Sequence, residues 1–434
     1  MHAAVRSTFS WACLTAGSFL LAAAGLTAQA TISLDEAIDR ALVRSPQMAQ
    51  QEQAVGNAEE GRRTAWGQFL PSLSASSSGS LRSQNRFDPT TDRIVTGSSD
   101  SYSAGLSASY TVFAGGRRFA EYSAAGADIR AAQARRDEQR FLVTVQTKAL
   151  FFGALRQDDL LEVARQRVLQ AEQNLEIVRR RTVLGEATVS DSLRARLDWI
   201  NAQQAVLQGE SAIRGARFSL GRQIGESGPV IPQRPANLDP SPLELTPDEI
   251  LMLAESRSPS VIAASEETAA AGASVSAART AYLPNISFST GYDWANQSAS
   301  FSGGTTSWSL GLRMSYPIFN GFQRESSVER ARLAQRVTSL REDVARLTAR
   351  EEADAAYQAL VTSERAIEIA EEAAAVATED LRVVRERYSV GAATILDVLI
   401  SQSAADQAST DRVTARYDYL LARAELEAIL GREL

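Results

Sequence analysis

Histidine and cysteine are nearly missing from this sequence of 434 residues: there is one of each, His2 and Cys13, and both fall within the first 30 positions. Residues 1–30 read as a cleavable secretory signal. Arg6 precedes an apolar run through Leu26 and a small-residue site at Ala28-Gln29-Ala30, too short before that site to span a membrane. The mature chain is predicted to begin at Thr31 and to carry neither residue. That excludes disulfides, imidazole or thiolate metal sites and nucleophile–histidine pairs, and no cofactor is expected. Cys13 lies inside the apolar run and not beside the cleavage site, so lipid attachment there is not expected either. Lys148 is the only lysine and carries no signal. The formal charge of −7 becomes −8 when Arg6 is lost, 44 basic against 52 acidic side chains, so no basic field exists for nucleic acid. Paired carboxylates remain available, but nothing in the sequence gathers a pair into a pocket.

Proline is also scarce, and its distribution is informative. Of 12 prolines, Pro229, Pro232, Pro235, Pro240, Pro242 and Pro247 fall in one stretch, which reads as a linker or loose wrap and not a domain. This linker, 226–245, separates two copies of one unit, 31–225 and 246–434. At an offset of 213 positions, Ser33 and Glu36 match Thr246 and Glu249, Ser45-Pro46 matches Ser258-Pro259, and Leu70-Pro71 matches Leu283-Pro284. At an offset of 206, Phe113 and Gly115 match Phe319 and Gly321, and Ile224-Gly225 matches Leu430-Gly431.

Outside serine-rich patches the chain is dominated by alanine, arginine, glutamate and glutamine, the mixture expected of long helices. Each unit opens with a capping box, Ser33-x-x-Glu36 or Thr246-x-x-Glu249, then a short helix and a second helix that stops at Leu-Pro. Later, 117–184 and 323–390 each run 68 residues without proline, about 100 Å if helical throughout. Leu161, Ala164, Val168, Ala171, Leu175 and Val178 step by three and four, and Ile367 to Val384 keep the same register; Leu333, Val337, Leu340, Val344 and Leu347 form a second such seam. A 3.5-residue step is a coiled-coil seam, and its alanines allow close approach. At the far end of each long helix the chain reverses. Gly185 and Gly391 follow arginine-rich last turns, where a left-handed glycine ends a helix and cations face its negative pole. Thr188 with Asp191, and Thr394 with Asp397, then read as N-cap and N3 of a returning helix, about half as long and able to continue end to end with an opening helix.

Between the Leu-Pro stops and the long helices the apolar period changes to two. Ile286, Phe288, Thr290, Tyr292 and Trp294 alternate with small polar residues, as do Trp308 through Ile318 and Tyr102 through Val112, while Leu73 to Leu81 is a weaker, serine-rich partner. Each well-marked strand is about ten residues long with aromatics towards its ends, which suits an outer-membrane crossing. Tyr110, Trp294, Trp308 and Tyr316 are then membrane-interface anchors. Segments 82–101 and 296–305 read as external loops. Four strands cannot close a barrel and open edges are not tolerated in lipid, so several chains must contribute. The physical reading is a duct with a polar interior. The alternatives weighed are a small soluble sandwich for the strands alone, a structural or adhesin-like coiled coil without transport, and a carboxylate-based hydrolase. The strand pattern disfavours the first, the second has no need of two returning units, and the third lacks a compact catalytic domain.

The paired Leu-Pro to strand transitions, the strand ends Tyr-x-x-Phe-x-Gly-Gly and Tyr-Pro-x-Phe-Asn-Gly, and the two Gly-x5-Asp tips together resemble the TolC-like outer-membrane efflux and secretion channel family, over essentially 32–434. The resemblance implies a mainly α fold with a membrane β part. A tandem-repeat chain would form one third of a trimeric 12-stranded β-barrel, continued by a long α-helical coiled-coil periplasmic barrel. It also implies a homotrimer in outer-membrane lipid that works with a periplasmic adaptor and, through it, an inner-membrane pump or ABC transporter. The exit duct would serve a tripartite efflux or type I secretion system, which share the architecture and leave the cargo open. In the family, acidic residues at the second tip narrow the entrance. Asp397 matches the first of two such aspartates, but the second position is Ile400. Tyr388 and Asp191 match a tyrosine and an aspartate of the network that closes the tips, whereas the arginine expected two residues after the tip glycine is Ala393. These departures bear on the latch and not on the channel. For Asp191, capping alone accounts for the acid; for Asp397, capping alone and capping with pore constriction both stand. The hairpin surfaces at Gly185, Thr188, Gly391 and Thr394 are expected to meet the adaptor.

Overall fold

A computed structural model describes residues 31–90, 92–236, 238–241, 243–298 and 302–434, so the predicted signal lies outside the described residues. The chain opens with β1 (Thr31–Ile32), α1 (Leu34–Arg44) and α2 (Pro46–Gly67), followed by the hairpin β2 (Ser72–Asp88) and β3 (Arg93–Phe113). A helical hairpin follows, α3 (Arg117–Val183) and α4 (Val189–Gln223), then β4 (Ile231–Pro232). The second half repeats the order with α5 (Pro247–Arg257), α6 (Pro259–Arg279), β5 (Asn285–Asn296), β6 (Thr305–Ser315), α7 (Gln323–Ser389) and α8 (Ile395–Leu430).

Capping chemistry sets the helix starts as predicted, with one exception. Thr246 and Glu249 form a reciprocal box, but at the first unit only Ser33 accepts from Glu36 N, at 3.3 Å, because the Glu36 carboxylate turns to Arg40 at 2.6 Å. Pro46, Pro247 and Pro259 each occupy the first turn, where a missing N–H costs nothing. The returning helices end against the opening ones. α4 stops at Gly225, φ +79°, where a Cβ would stand 3.0 Å from the Arg44 side chain, and α8 stops at Gly431, φ +66°, 3.1 Å from Pro259. Each returning helix therefore runs end to end into the corner before α2 or α6.

Two core clusters lie midway along the helices and use equivalent positions of the two halves. The first gathers Ile32, Ala37, Val143, Leu220 and Ile224; the second gathers Ile250, Ala349, Leu426 and Leu430. Tyr417 of α8 is buried in the first cluster and its hydroxyl donates to Asp159 at 2.7 Å, which ties the halves together. Lys148 does the same from α3, reaching Glu427 at 2.6 Å with most of both side chains covered. The proline-rich segment is a tight wrap rather than a loose one: Gln233 N donates to Ile32 O at 2.7 Å, β4 pairs in parallel with β1, and Val230 and Leu238 are buried in the first cluster.

The seam at Leu161, Ala171, Leu175 and Val178 is buried, as is its counterpart at Ile367, Ala370, Ala374 and Leu381. The second seam is not. Leu333, Val337, Leu340, Val344 and Leu347 are 47–68% exposed within a single chain.

β2, β3, β5 and β6 form one antiparallel sheet in that order. The register places Leu106 opposite Tyr292, Tyr292 opposite Trp308 and Tyr110 opposite Phe288, so one face is apolar and the other is hydroxyl-rich. On that polar face Ser72 and Ser109, Ser74 and Ser107, and Ser78 and Ser103 pair at 2.7–2.8 Å. Trp308 and Tyr316 are more than half exposed, and Tyr110 lies 5.0 Å beneath the Arg118 guanidinium. Two expectations are corrected. Segment 82–101 is not a loop: β2 and β3 stay paired through it, from Arg82 opposite Ser99 to Asp88 opposite Arg93, because a backbone ladder needs no continuous apolar face, and Pro89 and Asp92, at φ +49°, lie between the two strands. The last strand stops at Ser315 and not Ile318, since Pro317 has no N–H for the ladder. Among the described residues no helix is long and apolar enough to cross a membrane.

Candidate gate at the helical hairpin tips

Both long hairpins turn by the same chemistry. Gly185 and Gly391 have φ +78°. Gly185 N donates to Thr182 O at 3.1 Å and Glu186 N to Arg181 O at 2.8 Å; Gly391 N and Ala392 N repeat this to Tyr388 O and Arg387 O at 3.1 and 2.8 Å. These paired bonds across a left-handed glycine satisfy the last carbonyls of α3 and α7. Thr188 and Asp191 then form the predicted capping box, as do Thr394 and Asp397. Asp397 Oδ2 accepts from Thr394 N and Oγ1, both at 2.8 Å. These bonds hold the Asp397 carboxyl below the usual aspartate range, and those from Thr188 do the same for Asp191. Both acids therefore stay ionised at any physiological pH.

Asp397 and Ile400 lie one turn apart on the exposed face of α8, with Ile400 60% exposed. The opposite face of α8 packs inward through Ile395 and Val398 against Leu175, Val178, Ala195 and Tyr388. Tyr388 is 7% exposed and takes a partner that the sequence reading did not weigh: the Arg181 guanidinium sits 4.7 Å over its ring and donates to its carbonyl. The Tyr388 hydroxyl has no hydrogen-bond partner among the described residues, and burial, with the nearby Asp191 charge, raises its pKa against the opposing pull of Arg181. Within one chain, then, Tyr388 and Asp191 lie near each other without a bond between them.

Above the tip the four long helices meet at a polar node absent from the sequence reading. Gln402 of α8 is 1% exposed; it donates to Gln170 of α3 at 2.6 Å and accepts from Arg385 of α7. Arg167 of α3 stands 3.2 Å from Asp406 of α8 and 3.4 Å from Asp198 of α4. Burial pushes the Asp406 carboxyl above its ordinary value, because desolvation outweighs Arg167 and Gln402, and it pushes Arg385 down. The sequence signal for this node is Gln402 and Asp406, polar residues one turn apart on the inner face of α8, whereas the caps of the returning helices carry no sign of it.

The comparisons with known proteins agree with this geometry. The sequence model of the outer membrane efflux protein family matches residues 37–226 and 250–432. Protein CyaE of Bordetella pertussis is 28% identical over 71% of this chain and 66% of its own. The pyoverdine export outer membrane protein OpmQ of Pseudomonas aeruginosa is 27% identical over 92% of this chain and 85% of its own. Among solved structures, the Campylobacter jejuni CmeC outer membrane channel superposes with a TM-score of 0.78 at 17% identity, covering 92% of this chain and 85% of that one. With both halves matched by one family model, and the tandem order of helices, strands and hairpins in place, the chain belongs to the outer membrane efflux protein family.

Proposed function

We propose that this chain is one third of an outer-membrane exit duct, through which an efflux or secretion system passes cargo across the periplasm and the outer membrane. The observation that carries the reading is a pair of unfinished surfaces in one chain. The sheet is apolar on one face and has open edges at β2 and β6, and the α7 seam from Leu333 to Leu347 is exposed. A bilayer tolerates neither open edge, and a 67-residue helix with a bare seam needs a neighbour along its length. Three copies, each adding four strands and two long hairpins, answer both demands at once. The names of the relatives, an export protein and an outer membrane channel, support the same reading.

In that assembly the tips lie farthest from the membrane. The hairpin surfaces around Gly185, Thr188, Gly391 and Thr394 dock the helical hairpin of a periplasmic adaptor, and the adaptor brings the inner-membrane pump whose choice sets the cargo. Threefold symmetry brings three copies of Asp397 towards the axis, with an apolar ring of Ile400 at the next turn, in place of two acidic rings. Like charges at a narrow mouth attract cations, and an apolar ring solvates them poorly. The purified protein is expected to have the native mass of three chains and to give stepwise conductance in a planar bilayer. A stable monomer in mild detergent, or membranes that stay tight, counts against the duct.

A further inference from the structure

The tip accounts for the entrance but leaves the composition of the sheet's polar face without a use. Through the four-stranded region, the face opposite Leu106, Tyr292 and Trp308 carries only serine, threonine, glycine, alanine and asparagine, with two exceptions. These are Asp293 on β5, opposite Ser307, and Arg313 on β6, opposite Ser287; both are exposed. Gly105 is what admits the acid: a Cβ there would collide with the Asp293 carboxylate, which lies across β3 in the space that the glycine leaves. Six residues of β6 separate the two levels, about 20 Å along the strand and about 15 Å along an axis to which strands tilt by about 40°. Asp293 lies towards the β5–β6 connection and Arg313 towards the helices.

We propose that Asp293 and Arg313 set the charge preference of the exit. Three copies of Arg313 ring the lumen at its periplasmic end and three copies of Asp293 ring it nearer the outer mouth, with uncharged hydroxyl walls between. The inference rests on the trimeric duct proposed above. Twelve strands about 4.8 Å apart and tilted by about 40° close on a circumference of about 75 Å, a backbone radius of about 12 Å. The Debye length is about 10 Å in 0.1 M salt and about 3 Å in 1 M. Each ring's field thus reaches most of the lumen in dilute salt, yet the rings are far enough apart not to cancel. An anionic group leaving the periplasm is drawn in at the Arg313 level and meets a barrier at Asp293, while a cation meets the two levels with the opposite preference. Two oppositely charged zones in series also pass more current when anions are driven outward and cations inward than under the reverse voltage.

Reporter thiols read the two levels locally, whatever the tip contributes to total resistance, because the single native cysteine lies in the predicted signal. Ser307→Cys and Ser287→Cys, in full-length protein in outer-membrane vesicles at 0.1 M salt, are treated with methanethiosulfonates carrying either a trimethylammonium or a sulfonate. A facing unit charge about 5.5 Å away in screened water changes each local concentration about twofold, so the cation-to-anion rate ratio shifts roughly fourfold. At Ser307→Cys the cationic reagent is expected to react faster, an advantage lost in Asp293→Asn; at Ser287→Cys the anionic reagent is expected to lead, an advantage lost in Arg313→Gln. Both preferences are expected to collapse in 1 M salt. Rate ratios unmoved by removing either charge overturn this inference and leave the duct standing. Thiols that neither reagent reaches at either position overturn the duct, and this inference with it.

Discussion

At each tip one carboxylate closes a capping box and still presents its charge to solvent. Asp397→Asn keeps the shape and part of the cap while removing the charge, so it is expected to weaken cation selectivity and block by multivalent cations in single-channel recordings without loss of the assembly. Ile400→Asp is expected to strengthen both. Selectivity unchanged in Asp397→Asn would leave this residue a helix cap outside the conducting path. The pH behaviour of the acids divides by sign. Asp191 and Asp397 have depressed pKa values, so the stability they contribute is present above the ordinary aspartate value and is lost only as pH falls below it. Asp406 is raised by burial, so its contribution runs the other way: it is fully present below the ordinary value of 3.8 and is lost as pH climbs through the raised one. Asp406→Asn, which mimics the protonated acid, is therefore expected to unfold at a higher temperature than the wild type at pH 7. The two should converge near pH 4 in thermal scans, and a less stable Asp406→Asn at pH 7 would mean that the Arg167 pair outweighs desolvation.

The hairpin is the element on which the proposed gate depends, and its residues are legible in the sequence to different degrees. Gly391 was readable because an arginine-rich turn, a glycine and a Thr-x-x-Asp follow one another along the chain. Gly391→Val forces a branched side chain into φ +78°, at a cost of about 2 kcal/mol or more, and is expected to abolish export, whereas Gly391→Asn should retain much of it. Normal export by Gly391→Val would remove both the cap and the docking proposals. Arg181 was not readable, since its partner is a ring 207 positions away and no spacing rule connects them. The same holds for Gln402 and Gln170, which meet only once four helices are side by side. The polar stretch 82–101 reads as a connector in the sequence because its residues form no continuous apolar face, yet the backbone ladder continues without one. Arg181→Leu removes the tie between the hairpins that lies nearest the tip and is expected to raise single-channel conductance, while an unchanged conductance would place the closing force elsewhere.

For the molecule as a whole, the apolar residues that a single folded chain leaves bare are the ones that assembly covers. Each of Leu333, Leu340 and Leu347 is worth about 1.5–3 kcal/mol when fully buried, multiplied by three copies in a symmetric ring. Leu340→Asp is expected to leave the single chain helical by circular dichroism but to give a monomer by native mass measurement; a trimer of normal stability would show that the α7 seam faces something other than a neighbouring copy. Mapping such contacts in cells meets an obstacle set by Lys148. The one ε-amine in the sequence is largely covered in its pair with Glu427, so ester reagents that join lysines have almost nothing to grip on the exported surface. If the chain is cleaved before Thr31, its new α-amine is the one amine left in the open. Covalent capture of a proposed partner must then start mainly from the carboxylates that crowd the long helices, and trypsin will cut this chain after arginine almost alone.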